Sequence, residues 1–307
     1  MERKVIFIMG AAHCGSTLLD LILGSHSKAF SLGELHYIGN HLDKTDNNYA
    51  RICGVCVDRC SFWNDRVAPR ILTQQFSHKN RLRRLISKVN LYRFNFYEYL
   101  MQITNADILI DSSKGPEWIR QQLKPFYLWS HIEPILIYLC RDGRAVCNSL
   151  LRKYPERGME YIAQAWKRDI EERNRYFTDF KKRKFKIHYE DLASNPASVV
   201  RDICDKISLP YEAEMLEYWR HEHHPVDGGN LGTRSLIFQY RENSDPKFSN
   251  HWSEINKGDK HYSKKHYSGI GLSIKPDFRW KFELRSDQLE TFDSIAGEIN
   301  RPFAFPN

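Results

Sequence analysis

Residues 5–24 read Val5-Ile6-Phe7-Ile8-Met9-Gly10-Ala11-Ala12-His13-Cys14-Gly15-Ser16-Thr17-Leu18-Leu19-Asp20-Leu21-Ile22-Leu23-Gly24, and this stretch organises the 307-residue chain. An apolar run of strand length meets a loop bounded by Gly10 and Gly15. Leu18, Leu19, Ile22 and Leu23 then fall on one face of a helix. A strand-loop-helix of this kind aims backbone N–H groups and a helix N-terminus at an anion. The two glycines allow the sharp turn and the close approach of main chain to a phosphate. The spacing is that of the phosphate loop G-x-x-x-x-G-K-[ST], except that Ser16 stands in the place of the lysine. Such a loop suits a phosphate at the 5′ end of a nucleotide but is a poor loop for an ATPase or kinase. A secretory signal is not the reading, because the apolar run is short and His13 and Asp20 interrupt its continuation.

The rest of the composition narrows the class. Hydrophobic residues make up 41% and aromatics 13%, enough for a folded core. A net charge of +8 and a pI near 9.0 point to anionic ligands. Nucleic acid is not the expected partner, since no zinc-finger, basic-zipper or RNP pattern is present. No apolar stretch reaches the ~18 residues of a spanning helix, so no transmembrane segment is expected. Seven cysteines, an odd number with several in core-like segments, favour a reducing compartment and a cytoplasmic location.

Further strands are expected at 106–110, 135–139 and 185–189, and helices at 17–25, 143–153, 159–182 and 287–298. Their alternation predicts a single α/β domain over 1–307, with a mainly parallel central sheet flanked by helices and a P-loop-like nucleotide site. Lys114 and Arg141 then stand at carboxyl ends of strands, where open α/β sheets bind ligands. Residues 42–105 read as an insertion on the acceptor side, with a basic amphipathic helix over 77–99, and 225–285 as a loop-rich excursion. Within the insertion Cys53, Cys56 and Cys60 have three readings: zinc ligands with His36 or His41 as a fourth, a labile disulfide, or reduced thiols. Whichever holds, the role expected is structural, and no metal is assigned to the site. His221, His223 and His224 are not read as a metal cluster, because adjacent side chains rarely converge on one ion.

Gly15-Ser16-Thr17-Leu18-Leu19, Ser31-Leu32-Gly33-Glu34-Leu35, Asp111-Ser112-Ser113-Lys114, Arg141-Asp142-Gly143-Arg144-Ala145-Val146 and Tyr189-Glu190-Asp191-Leu192 follow one another in a telling order. In that ordered set the chain resembles the sulfotransferases that use 3′-phosphoadenosine 5′-phosphosulfate (PAPS), over about two-thirds of its length. The resemblance implies metal-independent, in-line transfer of a sulfuryl group to an acceptor hydroxyl or amine of a carbohydrate, glycolipid or small molecule. The product nucleotide would be 3′,5′-adenosine bisphosphate. It makes Glu34 the general base and puts Lys114 on the sulfate or the leaving phosphate. It gives the 5′-phosphate to the loop of Cys14, Gly15, Ser16 and Thr17, and the 3′-phosphate to Arg141 and Ser149. Arg234 becomes the basic residue of a closing C-terminal loop. His13 belongs to the same site, as a catalytic and donor-binding residue, where most relatives have arginine or lysine. The structural alternative for Arg141 is an ion pair with Asp142 or Glu190. The competing functions are a P-loop-type nucleoside or small-molecule kinase and an inactive nucleotide-binding scaffold.

Overall fold

The apolar run at the N-terminus becomes strand β1 (Lys4–Met9), and Val5 through Met9 are wholly excluded from solvent. A strand that is apolar without alternation is one covered on both faces, which is the situation at the centre of a parallel sheet. The computed structural model describes residues 2–38, 52–56, 60–67, 69, 96–129, 131–226, 229–245 and 271–305. After β1 come α1 (Ser16–Gly24), β2 (Ala29–Gly33), α2 (Phe96–Thr104), β3 (Ile108–Lys114), α3 (Pro116–Trp129) and β4 (Glu133–Cys140). They are followed by α4 (Gly143–Lys153), α5 (Gly158–Asp179), β5 (Lys184–His188), α6 (Tyr189–Ser194) and α7 (Pro196–Ile207). Then come α8 (Leu231–Ser244), α9 (Trp280–Glu283) and α10 (Ser286–Asn300).

The five strands pair in the order β2-β3-β1-β4-β5, all parallel. Lys4 stands beside Ile108 on one side and Glu133 on the other. From β1 the chain runs through α1 to β2, beyond β3, and later crosses back over β1 to reach β4. The connections therefore diverge at the carboxyl end of β1, which opens a crevice there. The loops after β1, β3 and β4 meet at that crevice. No helix among the described residues is long and apolar enough to cross a membrane.

The expected single sheet and its flanking helices are present, with three local differences. The segment at 29–33 is a strand, although its few apolar residues give little pattern; pairing with β3 makes it one. The excursion at 225–285 contains the 14-residue helix α8, whose first turn is capped by the Asn230 side chain accepting from the Thr233 amide. Leu236, Ile237 and Phe238 then bury its inner face. The stretch 42–105, expected as an insertion, ends in α2, while most of the basic stretch 77–99 lies outside the described residues.

The turn after β4 is tied to the C-terminal helix. Asp142 caps α4 by accepting from the Arg144 amide at 2.9 Å, and Asn300 Oδ1 accepts from the Gly143 amide at 2.8 Å. A Cβ on Gly143 would stand 2.6 Å from the Trp166 ring of α5 and 2.8 Å from the Phe292 ring of α10. Those rings are themselves packed, with centroids 5.7 Å apart. Gly143→Ala should therefore overpack the α4–α5–α10 layer and cost about 1–3 kcal/mol. The melting temperature should fall by a few degrees in a thermal unfolding scan, and an unchanged midpoint would show that the two rings move aside freely.

Candidate functional site

The loop after β1 turns through left-handed backbone at His13 (φ 62°) and Gly15 (φ 95°). A side chain at Gly15 would be strained at that φ and would collide with the Tyr189 ring at the start of α6. Among the described residues no side-chain hydrogen bond caps the start of α1. The first amides of a helix have no intrahelical acceptor, so this N-terminus is open to an anion. Cys14 builds the loop from beneath. Its thiol is buried and its amide donates to Ala11 O at 3.2 Å, so Gly15, Ser16 and Thr17, and not Cys14, face the crevice. The crevice encloses about 610 Å³, within the size range of small-ligand sites.

Lys114 ends β3 with φ 64°, and the Gly115 amide bonds back to Ser113 O at 2.7 Å. This is a γ-turn with a positive-φ centre, a rare and strained form that survives only when its surroundings hold it. Asp111 supplies the hold. It is fully buried and accepts from the Tyr97 hydroxyl at 2.6 Å, Trp118 Nε1 at 2.9 Å and the Ser113 amide at 2.9 Å. Burial raises its pKa, and the Ser113, Tyr97 and Trp118 bonds oppose that rise. The strained turn points the Lys114 ammonium into an ion pair with Glu34. Glu34 follows Gly33 at the end of β2, where a Cβ would stand 2.7 Å from Val226 N. The Glu34 amide donates to Val226 O at 3.2 Å, and Glu34 Oε1 accepts from the Gly229 amide at 3.0 Å. The next residue, Asn230, donates its amide to Thr17 Oγ1 at 2.8 Å. Val226, Gly229 and Asn230 thus brace both the carboxylate and the loop after β1.

At the end of β4, Arg141 donates to His13 O at 2.7 Å and to Asp277 O at 3.3 Å, with the Asp277 carboxylate 3.4 Å away. Its guanidinium lies 4.3 Å from the centroid of the Tyr189 ring. Asp277, not Asp142 or Glu190, is therefore its acidic partner. Asp142 is taken up by the α4 cap, and Glu190 Oε1 accepts from the Asp142 amide at 3.1 Å. Arg279 holds Asp277 with two bonds of 2.7 Å. Burial works to raise the Asp277 pKa, yet the Arg279 bonds and the Arg141 charge hold it far below the carboxylate range. Ser149 leaves α4 with its hydroxyl 3.0 Å from His13 Nδ1. Burial lowers the His13 pKa to about 4, reinforced by the charges of Lys153, Arg141, Lys114 and Arg152. The imidazole is consequently neutral near pH 7.

His13, Gly15, Ser16, Thr17, Glu34, Lys114, Arg141, Ser149 and Arg234, scattered over more than two hundred residues, all line this one cavity. Arg234 reaches Gly54 O from α8. Asp277 and Arg279 escaped the sequence reading, because an acid beside two bases in a polar stretch looks like ordinary surface. The bracing amide of Gly229 has no sequence signal beyond the Asn230 cap that follows it. Among the cysteines, the histidine that arrives is His224, in place of the expected His36 or His41. His36 instead donates its amide to Ser113 Oγ at 3.2 Å, and His41 lies outside the described residues.

The sequence profile described as "Sulfotransferase family" matches residues 5–213. Among solved structures, a sulfotransferase domain from the curacin biosynthetic pathway is 19% identical over 89% of this chain and 99% of its own, with a TM-score of 0.48. The sulfotransferase domain of the Synechococcus PCC 7002 olefin synthase is 20% identical over 100% of this chain and 98% of its own, with a TM-score of 0.43. Sulfotransferase STF9 from Mycobacterium avium is 14% identical over 79% of this chain and 77% of its own, with a TM-score of 0.40. No curated protein matches the chain.

The neutral state of His13 makes stability depend on pH. Its pKa of about 4 in the folded chain lies below the 6.5 of a free imidazole, so the unfolded chain binds more protons between these values. The contribution is complete above pH ~6.5 and is lost as pH falls toward ~4, by up to about 3 kcal/mol. His13→Asn, which tolerates left-handed backbone, should flatten that part of the profile. Urea unfolding of both proteins at pH 7 and pH 4.5 measures it; equal losses in the two would mean that His13 is protonated in the folded state.

Proposed function

The chain belongs to the sulfotransferase family, and from that premise we propose that it transfers a sulfuryl group from PAPS to an acceptor hydroxyl or amine. The observation that carries this reading is the Lys114–Glu34 pair, set beside the open N-terminus of α1 in a cation-lined cavity. The expected acceptor is a carbohydrate, glycolipid or small molecule.

The residues present fit the donor's chemistry. The amides of Gly15, Ser16 and Thr17 and the charge of Lys114 suit the 5′-phosphosulfate end. Arg141 and Ser149, with Arg152 and Lys153 on the same wall, suit the 3′-phosphate. Arg141 Nε is buried and has no hydrogen-bond partner among the described residues, which leaves a donor to spare for an anion. When bound, PAPS supplies an activated sulfuryl group whose bridging oxygen departs on the 5′-phosphate.

The chain's own groups then have defined tasks. Without donor, Lys114 neutralises Glu34. Lys114 would turn its ammonium to the donor's anionic end, and Glu34 Oε1 would then be free to accept the acceptor's proton as its oxygen or nitrogen attacks. The Gly229 amide keeps that carboxylate oriented. Lys114 and the α1 amides stabilise negative charge as it grows on the leaving oxygen. These fixed donors take the role a metal ion has elsewhere, so no metal enters the proposed chemistry. His13 contributes a hydrogen bond and no charge, and it holds Ser149 in place.

Incubation with radiolabelled PAPS and fractionated cell extract, followed by identification of the labelled product, tests the activity and names the acceptor. Stabilisation by ATP and magnesium, but not by adenosine 3′,5′-bisphosphate, would overturn the reading in favour of a kinase. Glu34→Gln should bind the bisphosphate normally and lose about 10²–10⁴-fold in turnover, the usual contribution of a positioned base. Turnover surviving within a few-fold would remove Glu34 from that role. Arg141→Ala should weaken adenosine 3′,5′-bisphosphate by about one to two orders of magnitude. Adenosine 5′-phosphate, lacking the 3′ group, should bind nearly as before. Calorimetric titration of both ligands separates this outcome from a general loosening of the Arg141–Asp277 contact, which would weaken the two alike.

A further inference from the structure

Outside the anion cavity, four donor atoms from distant parts of the chain converge on one point. His224 Nδ1 lies 3.4 Å from Cys56 Sγ, 3.4 Å from Cys60 Sγ and 4.0 Å from Cys53 Sγ. All four atoms lie within 4.8 Å of one another, and none of these residues lines the cavity. In a tetrahedral zinc site, with Zn–S of about 2.3 Å and Zn–N of about 2.0–2.1 Å, neighbouring donors stand roughly 3.5–3.8 Å apart. The separations from His224 bracket that geometry. A disulfide joining two of the sulfurs would leave the third and the imidazole without a task, and all three cysteines are free.

The surroundings match a built ligand set. The amides of Val55 and Cys56 donate to Cys53 Sγ at 3.5 and 3.4 Å, so the C-x-x-C turn wraps its N–H groups around the first sulfur. His224 Nε2 lies 2.9 Å from Glu222 Oε1. A carboxylate there fixes the proton on Nε2 and leaves the Nδ1 lone pair facing the three sulfurs, as second partners of metal-bound histidines do. The Phe62 ring lies 5.6 Å from the imidazole at an interplanar angle of 14°, and Trp63 Nε1 donates to His224 O.

We propose that Cys53, Cys56, Cys60 and His224 bind one structural Zn²⁺. Three thiolates and an imidazole make a closed, soft, four-coordinate set, which selects zinc and leaves no position for a substrate. The ion joins 52–67 to the segment that braces the active carboxylate. Cys53 bridges to Val226, and the Gly54 amide donates to Pro225 O at 2.8 Å. Val226 in turn bonds Leu32 O and the Glu34 amide. Zinc therefore anchors the wall from which Gly229 reaches Glu34. This assignment is independent of the sulfuryl-transfer reading, and its readout is metal content, not turnover.

The full chain, purified without a histidine tag from zinc-supplemented cells, should carry about one zinc per chain by elemental analysis, as a closed four-ligand site implies. Stripped of zinc and titrated with cobalt, it should develop the visible ligand-field absorption of a tetrahedral thiolate site. Glu222→Gln removes only the carboxylate behind the histidine, at an exposed position, so its fold should persist by circular dichroism. Its zinc affinity, measured by competition with a chromogenic chelator, should drop about 10–100-fold. Cys60→Ser should lose stoichiometric zinc. A folded wild-type chain with only trace zinc and no cobalt band overturns the proposal. So does iron in place of zinc, or a Cys53–Cys56 disulfide found by thiol counting.

Discussion

The ion pair between Lys114 and Glu34 joins the ends of β3 and β2 at the mouth of the crevice, and the surrounding structure is arranged to make it possible. With side chains 18% and 9% exposed, the pair is largely withdrawn from water. Charges in that position lose much of their hydration, and removing either partner leaves an uncompensated charge, which costs about 3–5 kcal/mol. The strained turn at Lys114, the Asp111 network beneath it and the Gly229 amide all hold the two groups together. The result is a carboxylate and an ammonium held against each other at the mouth of the crevice. Stability and reactivity meet in this contact.

The opposite wall shows how a basic protein keeps its cations ready without letting them repel one another apart. Lys114, Arg141, Arg152 and Lys153 border the same space, and their combined charge helps to hold His13 neutral. Asp277 counters part of that charge, with Arg279 orienting it. Arg141 is further seated on the Tyr189 ring, a face-on arrangement that suits a guanidinium. Under the proposed function, such preorganisation would present an entering phosphate with donors already aimed and keep the reorganisation on binding small.

Val226 is the junction between the end of β2, where Glu34 stands, and the cysteine cluster. Its main chain serves Leu32, Glu34 and Cys53 at once, so three segments far apart in sequence share one short piece of backbone. A zinc ion bound at His224 would lock that piece two residues upstream. Anchoring by a metal is an effective way to order a segment with little secondary structure of its own, because the coordination free energy offsets the conformational entropy lost.

Local signals in the chain were enough for the fold class. The unbroken apolar runs at 5–9 and 135–139 announced buried parallel strands, and the glycine-bounded loop at 10–15 announced the turn from the first of them into α1. The resemblance to the sulfotransferases singled out Glu34, Lys114, Arg141 and Ser149, and of these Lys114 and Arg141 were also legible as residues at the ends of apolar strands. Strand β2 was not legible, since its few apolar residues become a strand only by pairing with β3. Helix α8 was hidden behind glycines that read as loop. The partners of the site residues were less visible still. Nothing near Arg141 points to Asp277, nothing near Glu34 points to Gly229, and nothing near Cys53 points to His224. Those pairings depend on which distant backbones the closed core brings within bonding distance. Sequence patterns record the neighbours a residue has along the chain, whereas the geometry of a site is set by neighbours that only packing creates.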